Sequence, residues 1–295
     1  MAKAVVIQPD GRIVIAGTVG TATNGDDFGI VRLNANGTPD LSFNLTGKVS
    51  FGFDLLGSTT KNDGVSRMAL DAAGNIVIAG YADKGSSNYD FAVARLLPNG
   101  QLDANFNAVG RATVAFDFGG NTGSNDDVAS GLTIQRDGKI LLFGSSDTST
   151  STTSNYDMAA ARLYPDGSLD GSFGIGGKTL VSFDLIANGR DIGVGAAEQG
   201  NGKIVLTGYA QYSSIGRYKA TAISLNRNGT LDNQFGNLGK QIFDFGLTSP
   251  SSQYFSGVAF QGTQIIVSGA TNVAGGFDDF VVRLKNDLIF ADEFE

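Results

Sequence analysis

The chain has no cysteine, no histidine and no tryptophan, and only five prolines in 295 residues. Without Cys there is no disulfide, no thiolate metal site and no Cys nucleophile, although this leaves the compartment open. Without His, Ser-His-Asp and Cys-His arrangements are excluded, and so is an ordinary zinc site. Any catalysis would rest on carboxylates, Tyr, Lys or a hard cation. Charged residues are sparse at 17%, and 21 basic against 29 acidic side chains leave a net charge of −8. With no cluster of Lys and Arg, phosphate backbones and anionic lipid surfaces would repel the chain, so no nucleic-acid partner is expected. No apolar run approaches the ~20 residues that span a bilayer, so no membrane insertion is expected. No signal peptide precedes the first repeat, which opens almost at Met1-Ala2-Lys3, and a trimmed or partial chain is expected.

What the chain does have is Gly, 42 residues of it, and a repeat. The block Arg12-Ile13-Val14-Ile15-Ala16-Gly17 returns as Asn75 to Gly80, Lys139 to Gly144, Lys203 to Gly208 and Gln264 to Gly269, at a period of roughly sixty residues. Each unit reads as four strands. The first is short and rich in small residues (Val65 to Leu70, Gly131 to Ile134, Gly195 to Glu198, Gly257 to Phe260). The second is the block itself, whose continuous apolar run implies burial on both faces. The third runs Phe28 to Leu33, Phe91 to Leu96 and Met158 to Leu163. The fourth opens with Gly and a basic residue, as in Gly47-Lys48 and Gly110-Arg111. Asp10-Gly11, Asp137-Gly138 and Asn201-Gly202 suit tight hairpins between the first two strands. Asn36-Gly37, Asn99-Gly100, Asp166-Gly167 and Asn228-Gly229 end the third. A connector follows with a fixed Phe (Phe43, Phe106, Phe173, Phe235), which is expected to plug the gap between units.

Four up-and-down strands per repeat, oily on both faces, describe a blade walled in by its siblings. The expected fold is all-β: a five-bladed β-propeller with four antiparallel strands per blade and a fifth blade shortened at the C-terminus. It is read as one domain over 1–295, with repeats near 3–62, 63–125, 126–190, 191–253 and 254–295. Leu288 to Ala291 is expected to supply a shortened outer strand, the ring closing by packing of the first and last blades without a shared strand. An open array or β-solenoid is the alternative architecture.

Three stretches, Gln8 to Gly17, Tyr89 to Leu96 and Asp166 to Gly174, resemble the bacterial delta-sixty repeat family. The resemblance covers almost the whole chain. It implies a propeller-like fold on an exported or surface-associated bacterial protein, and it brings no activity and no catalytic residues. Two departures stand out: Lys219 and Ser224 replace the Asp and Arg of the sister repeats, and Asn286 to Glu295 replaces the last connector and fourth strand.

The connections between second and third strands (Thr18 to Asp26, Tyr81 to Tyr89, Ser145 to Tyr156, Tyr209 to Tyr218) emerge on one face with the crossings to the next unit (Leu55 to Asn62, Gly119 to Asp126, Leu247 to Gln253). They read as long variable loops over a uniform scaffold, a common way to build a binding surface. Asp26, Asp63, Asp126, Asp127, Asp191 and Tyr212 are the candidate ligand-binding residues of that face. Asp27, Asp90, Asp157 and Asp278 are the candidate ligands of a hard cation, calcium being the one that fits; no other cofactor is expected. The competing reading, favoured by their recurrence, is that Asp27, Asp90 and Asp157 cap their own loops by accepting backbone N–H bonds. The recurring Asp27/Arg32, Asp90/Arg95 and Asp157/Arg162 have an odd spacing that puts them on opposite strand faces, so they are not expected to pair.

The leading functional expectation is a non-enzymatic, monomeric binding or display module, extracellular, periplasmic or on the cell surface, with a protein or glycan ligand. One alternative is a carboxylate-based glycosidase or lyase with an axial site, disfavoured by the lack of Trp and His. The other is a spacer in a longer surface protein.

Overall fold

In the computed structural model the described residues are 1–21, 25–55, 61–85, 88–116, 125–149, 154–245, 251–273 and 276–284. They form nineteen strands in five antiparallel sheets, and no helix among them. The first sheet holds β1 (Ala2–Ile7), β2 (Ile13–Thr21), β3 (Gly25–Leu33) and β4 (Lys48–Phe51), and the second holds β5 (Gly64–Leu70), β6 (Ile76–Asp83), β7 (Tyr89–Leu96) and β8 (Arg111–Val114). The third comprises β9 (Asp127–Ile134), β10 (Ile140–Asp147), β11 (Tyr156–Leu163) and β12 (Lys178–Val181). β13 (Asp191–Glu198), β14 (Ile204–Ser213), β15 (Arg217–Leu225) and β16 (Lys240–Phe243) form the fourth. β17 (Ser252–Gln261), β18 (Gln264–Val273) and β19 (Gly276–Leu284) form the fifth. Strands neighbour one another in chain order in every sheet, as tight reversals dictate. The expected outer strand at Leu288 to Ala291 lies outside the described residues, as do most of the crossings within Leu55 to Asn62, Gly119 to Asp126 and Leu247 to Gln253.

The glycine that closes each block has a steric cause. The first strand of four sheets shifts register against the second, at Ala2/Ala4, Val65/Arg67, Gly193/Gly195 and Phe255/Gly257. At that bulge the two backbones come so close that a Cβ on Gly80 would overlap the carbonyl oxygen of Gly64, and one on Gly208 that of Ile192.

Second and third strands are longer than the sequence suggests. Most of what reads as variable loop is ladder: β2 runs on to Thr21 and β14 to Ser213, while β7 begins at Tyr89 and β15 at Arg217. Pairs such as Val19↔Asp27, Ala82↔Asp90 and Ala210↔Lys219 extend the hydrogen bonding beyond the apolar blocks. First strands likewise start earlier, at Asp127 and Asp191.

The chain packs as two compact units, Met1–Gly120 with Ser124–Leu142 and Arg162–Asp170, and Asn121–Gly123 with Phe143–Ala161 and Gly171–Glu295. In the first, β5 lies against β1 and β9. Val14, Phe28, Ile30, Ile76, Ile78 and Leu96 lie in its core. In the second, β17 lies against β13, β14 and β15 over Val205, Ala222, Phe243, Phe255 and Val267. Ile76, Val77, Ile78 and Ala79 are all buried, as the unbroken apolar run requires.

Successive repeats are stitched at the end bearing the short turns. Phe43, Phe106 and Phe173 are fully buried, and each ring fills the space beside the turn glycine of the next repeat (Gly100, Gly167, Gly229). Those glycines hold φ of +88°, +84° and +82°. A Cβ on Gly167 would come within 3.0 Å of the Phe106 ring, so both conformation and space favour glycine. The same turn carbonyls accept backbone bonds, from Asn44 to Asn99 (2.7 Å), Asn107 to Asp166 (2.6 Å) and Gly174 to Asn228 (2.7 Å). Arg32 and Arg95 reach the carbonyls of Pro98 and Pro165 in the following repeat. Each also ion-pairs with an Asp further along its own repeat, Arg32 with Asp40 and Arg95 with Asp103, both at 2.7 Å. The arginines are therefore inter-repeat ties, partnered by these aspartates and not by Asp27 or Asp90.

Candidate functional site

At the opposite end of the sheets the acidic residues act on the backbone. Asp63 accepts from the N–H of Phe53 at 2.5 Å, Asp127 from that of Phe116 at 2.6 Å, and Asp191 from that of Phe183. In each case the acid begins the first strand of one sheet, or for Asp63 immediately precedes it, and holds the chain leaving the fourth strand of the sheet before it. It is a latch, repeated three times. Its second oxygen differs: Asp63 Oδ1 accepts from the N–H of Asp83 at 3.0 Å, whereas Asp191 Oδ1 accepts nothing.

Around Asp63 the loop ends interlock. Asp63 N–H donates to the carbonyl of Asp26 at 2.7 Å, Asn62 N–H to Asp83 Oδ2 at 3.1 Å, and Asp26 N–H to Asn62 Oδ1 at 3.2 Å. Asp83 and its counterpart Asp147 are the loop caps; Asp147 Oδ1 accepts from the N–H groups of Ser149 and Asn155, both at 3.0 Å. This corrects the capping expected of Asp27 and Asp157. Asp157 instead accepts the Thr148 hydroxyl at 2.7 Å, and Asp90 lies 3.9 Å from the Lys84 ammonium.

The structure separates the candidate residues sharply. Asp63, Asp127 and Asp191 are buried, at 1%, 1% and 0% exposure, and so present no surface to a ligand. Asp26 is exposed, Asp126 half-buried, and the hydroxyl of half-buried Tyr212 donates to the carbonyl of Ser251 at 3.1 Å. Of the cation candidates, Asp27, Asp90 and Asp157 are buried and Asp278 is exposed on β19. Among the described residues no three acidic side chains gather round one point. Asp27 and Asp63 do converge: their nearer oxygens lie 2.7 Å and 3.3 Å from where a Cβ on Gly52 would stand.

Burial dominates the electrostatics. It pushes Asp63 up to about 6, despite the two N–H donors that oppose the shift, and Asp191 up to about 7, with Asp157 and Asp184 adding to the rise. Asp157 is pushed up to about 6 by burial and by Asp184 and Asp147, against its bond from Thr148 and the charge of Lys240. Asp27 rises too, from burial and then from Asp54 and Asp26.

A set of aromatic side chains at this end was missed in the sequence. Tyr89, Tyr156, Tyr218 and Phe277 each stand first or second in a third strand, one place before Asp90, Asp157, Lys219 and Asp278; that fixed offset was the available signal. Tyr81 meets Tyr89 edge-on at 5.1 Å between ring centres, and Tyr209 meets Tyr218 at 5.1 Å and Tyr254 at 5.0 Å. Phe277, 66% exposed, lies 6.5 Å from Tyr254.

Residues 8–43, 74–106 and 135–173 match a family model described as "Domain of unknown function (DUF5122) beta-propeller". Each matched stretch ends on an inter-repeat plug, Phe43, Phe106 or Phe173. The chain is similar to β-propeller repeat proteins. Among solved structures, a protein of unknown function from Dyadobacter fermentans DSM 18053 superposes with a TM-score of 0.52 at 12% identity, over 94% of this chain and 73% of that one. An endo-arabinase from Bacteroides thetaiotaomicron VPI-5482 gives 0.44 at 9% identity, over 96% and 93% of the two chains. The native Bacillus subtilis arabinanase gives 0.46 at 12%, over 95% and 94%. No curated protein matches the chain.

Proposed function

We propose that the five sheets are blades of a β-propeller that serves as a non-enzymatic binding module of an exported or surface bacterial protein. Its ligand, a protein or a glycan, is taken at the ends where second and third strands meet. The observation that carries this reading is the contrast between the two ends of the sheets. The turn end repeats the same plug, turn glycine and Asp. The other end keeps the same ladder but changes its side chains: Thr18, Tyr81, Ser145, Tyr209 and Ala270 at one position, and Asp26, Tyr89, Tyr156, Tyr218 and Phe277 at another. Uniform scaffold with varied, partly aromatic tips is how recognition surfaces are built. Immobilised protein screened against glycans and bacterial surface proteins is expected to retain a ligand without altering it, and Tyr218→Ala to weaken retention at least tenfold. Turnover of a ligand with no retained complex refutes the reading.

A carboxylate glycosidase is the second reading, favoured by the convergence of Asp27 and Asp63 beside Gly52 and by an Asp63 carboxyl at about 6, a value suited to a general acid. Against it, Asp63 is 1% exposed and both its oxygens hold backbone N–H groups. Aryl-glycoside hydrolysis abolished by Asp27→Asn in a folded protein would establish it.

A further inference from the structure

A buried oxygen with no donor is costly and calls for a source of positive charge. In the second unit three such oxygens occur on residues that act on one another: Asn155 Oδ1, Asp157 Oδ1 and Asp191 Oδ1 are buried and accept no hydrogen bond, Asn155 and Asp157 share the Thr148 hydroxyl, and the charge of Asp157 acts on Asp191. Asp157 is 8% exposed and Asp191 is sealed from solvent. Their other polar atoms are engaged. Asp157 Oδ2 takes the Thr148 hydroxyl at 2.7 Å, and Asp191 Oδ2 takes the N–H groups of Phe183 and Asp184. Asn155 Nδ2 donates to Thr148 Oγ1 at 3.1 Å, which fixes the amide with its oxygen free.

A proton shared between Asp157 and Asp191 would relieve two carboxylates but leave the amide oxygen without a partner. A cation relieves all three. Hard oxygens from two carboxylates and an amide, with solvent completing the shell, are the donor set calcium takes. The fourth repeat supplies an internal comparison. There Arg217, Lys219 and Gln253 stand at the places of Asn155, Asp157 and Asp191, and the Lys219 ammonium pairs with Asp244, which stands where Ser182 does one repeat earlier. Where the acid pair is lost, the chain brings its own positive charge. We propose that Asn155, Asp157 and Asp191 form a calcium site that ties the third repeat to the first strand of the fourth. The same residue types recur as Asn88, Asp90 and Asp127.

The test is calorimetric titration of chelator-treated protein with calcium chloride, together with melting curves. Saturable binding is expected with a dissociation constant of about 10⁻⁴–10⁻³ M, the range of extracellular calcium modules. The midpoint should rise by a few degrees, a rise that sodium chloride of equal ionic strength does not reproduce. Asn155→Ala leaves every charge in place and should weaken binding about tenfold at one site, while Asp157→Asn removes that site. Absence of saturable binding at millimolar calcium overturns the proposal. So does an equal rise with sodium chloride, or an Asn155→Ala variant that binds like the parent.

Discussion

Replacing Arg95 with Ser should cost about 3–5 kcal/mol of stability, the usual consequence of removing one partner of a buried ion pair. Arg95 meets Asp103 through Nε at 2.8 Å and a terminal nitrogen at 2.7 Å, with side-chain exposures of 11% and 5%. Its guanidinium lies 5.0 Å over the Phe106 ring and reaches the Pro165 carbonyl of the next repeat. The single variant leaves the Asp103 carboxylate enclosed with no cation. The fourth repeat already carries this exchange: Ser224 stands at the arginine position, and Asp232 is held instead by Lys203 at 2.7 Å, with the Ser224 hydroxyl at 3.3 Å. Asn75 occupies the Lys203 position in the second repeat, so Arg95→Ser with Asn75→Lys rebuilds that arrangement. The lysine restores the charge but not the tie to Pro165 or the stacking on Phe106. It also gives up the bond from Asn75 Nδ2 to Asp71 (2.8 Å), worth about 1 kcal/mol. The double variant should therefore recover about half of the loss. Urea unfolding followed by circular dichroism, run as a double-mutant cycle, measures both quantities. If the double variant unfolds at the same midpoint as Arg95→Ser, the enclosed charge on Asp103 is not what sets the cost.

Phe106→Ala empties the slot beside Gly167 and should cost about 3–5 kcal/mol in the same assay. A loss under about 1 kcal/mol would mean that the ring does not tie the repeats. Gly167→Ala places a methyl 3.0 Å from that ring at φ +84° and should cost about 1–3 kcal/mol, whereas alanine at Gly171, where a Cβ meets nothing within 4 Å, should cost far less. Asp63 gives a pH signature opposite to that of a salt-bridged acid. Its folded value of about 6 exceeds the ordinary 3.8, so folding favours the protonated form. Its contribution is greatest below pH 4 and is lost as the pH rises through 6, by at most about 3 kcal/mol. Melting curves from pH 4 to 8 should show a decline that flattens in Asp63→Asn, and an unchanged slope in that variant counts against the assignment.

The sheets were legible because their determinants are local and repeated. Ile76 to Gly80 announces a strand buried on both faces, Asp10-Gly11 a reversal, and Phe106 before Gly110 a connector whose ring must find a pocket. The closing glycine was visible as a recurrence but not as a cause, since the bulge that brings the Gly64 carbonyl onto Gly80 depends on register between strands. Strand ends were misjudged for a related reason. Polar residues such as Asp26 and Asp27 read as loop in a linear pattern, yet a ladder already nucleated by the apolar block carries them along, because at the rim of a sheet one side of the strand can remain wet.

The acidic end was legible in membership and misread in role. Exposure cannot be counted along a chain, and Asp63, Asp127 and Asp191 resemble surface acids until the preceding sheet delivers the N–H groups of Phe53, Phe116 and Phe183. The repeat itself holds the missing information when its copies are compared with one another. Asn155, Asp157 and Asp191 change together to Arg217, Lys219 and Gln253, across gaps that no local pattern spans, while Ser182 changes to Asp244 to receive the lysine. Four positions that shift in concert within one chain mark a shared electrostatic requirement. The same logic joins Arg95 and Asn75 to Ser224 and Lys203 at the other end of the sheet. Between the second and fourth repeats the connector Asp keeps one cation, although the residue that carries it moves from the third strand to the turn before the second.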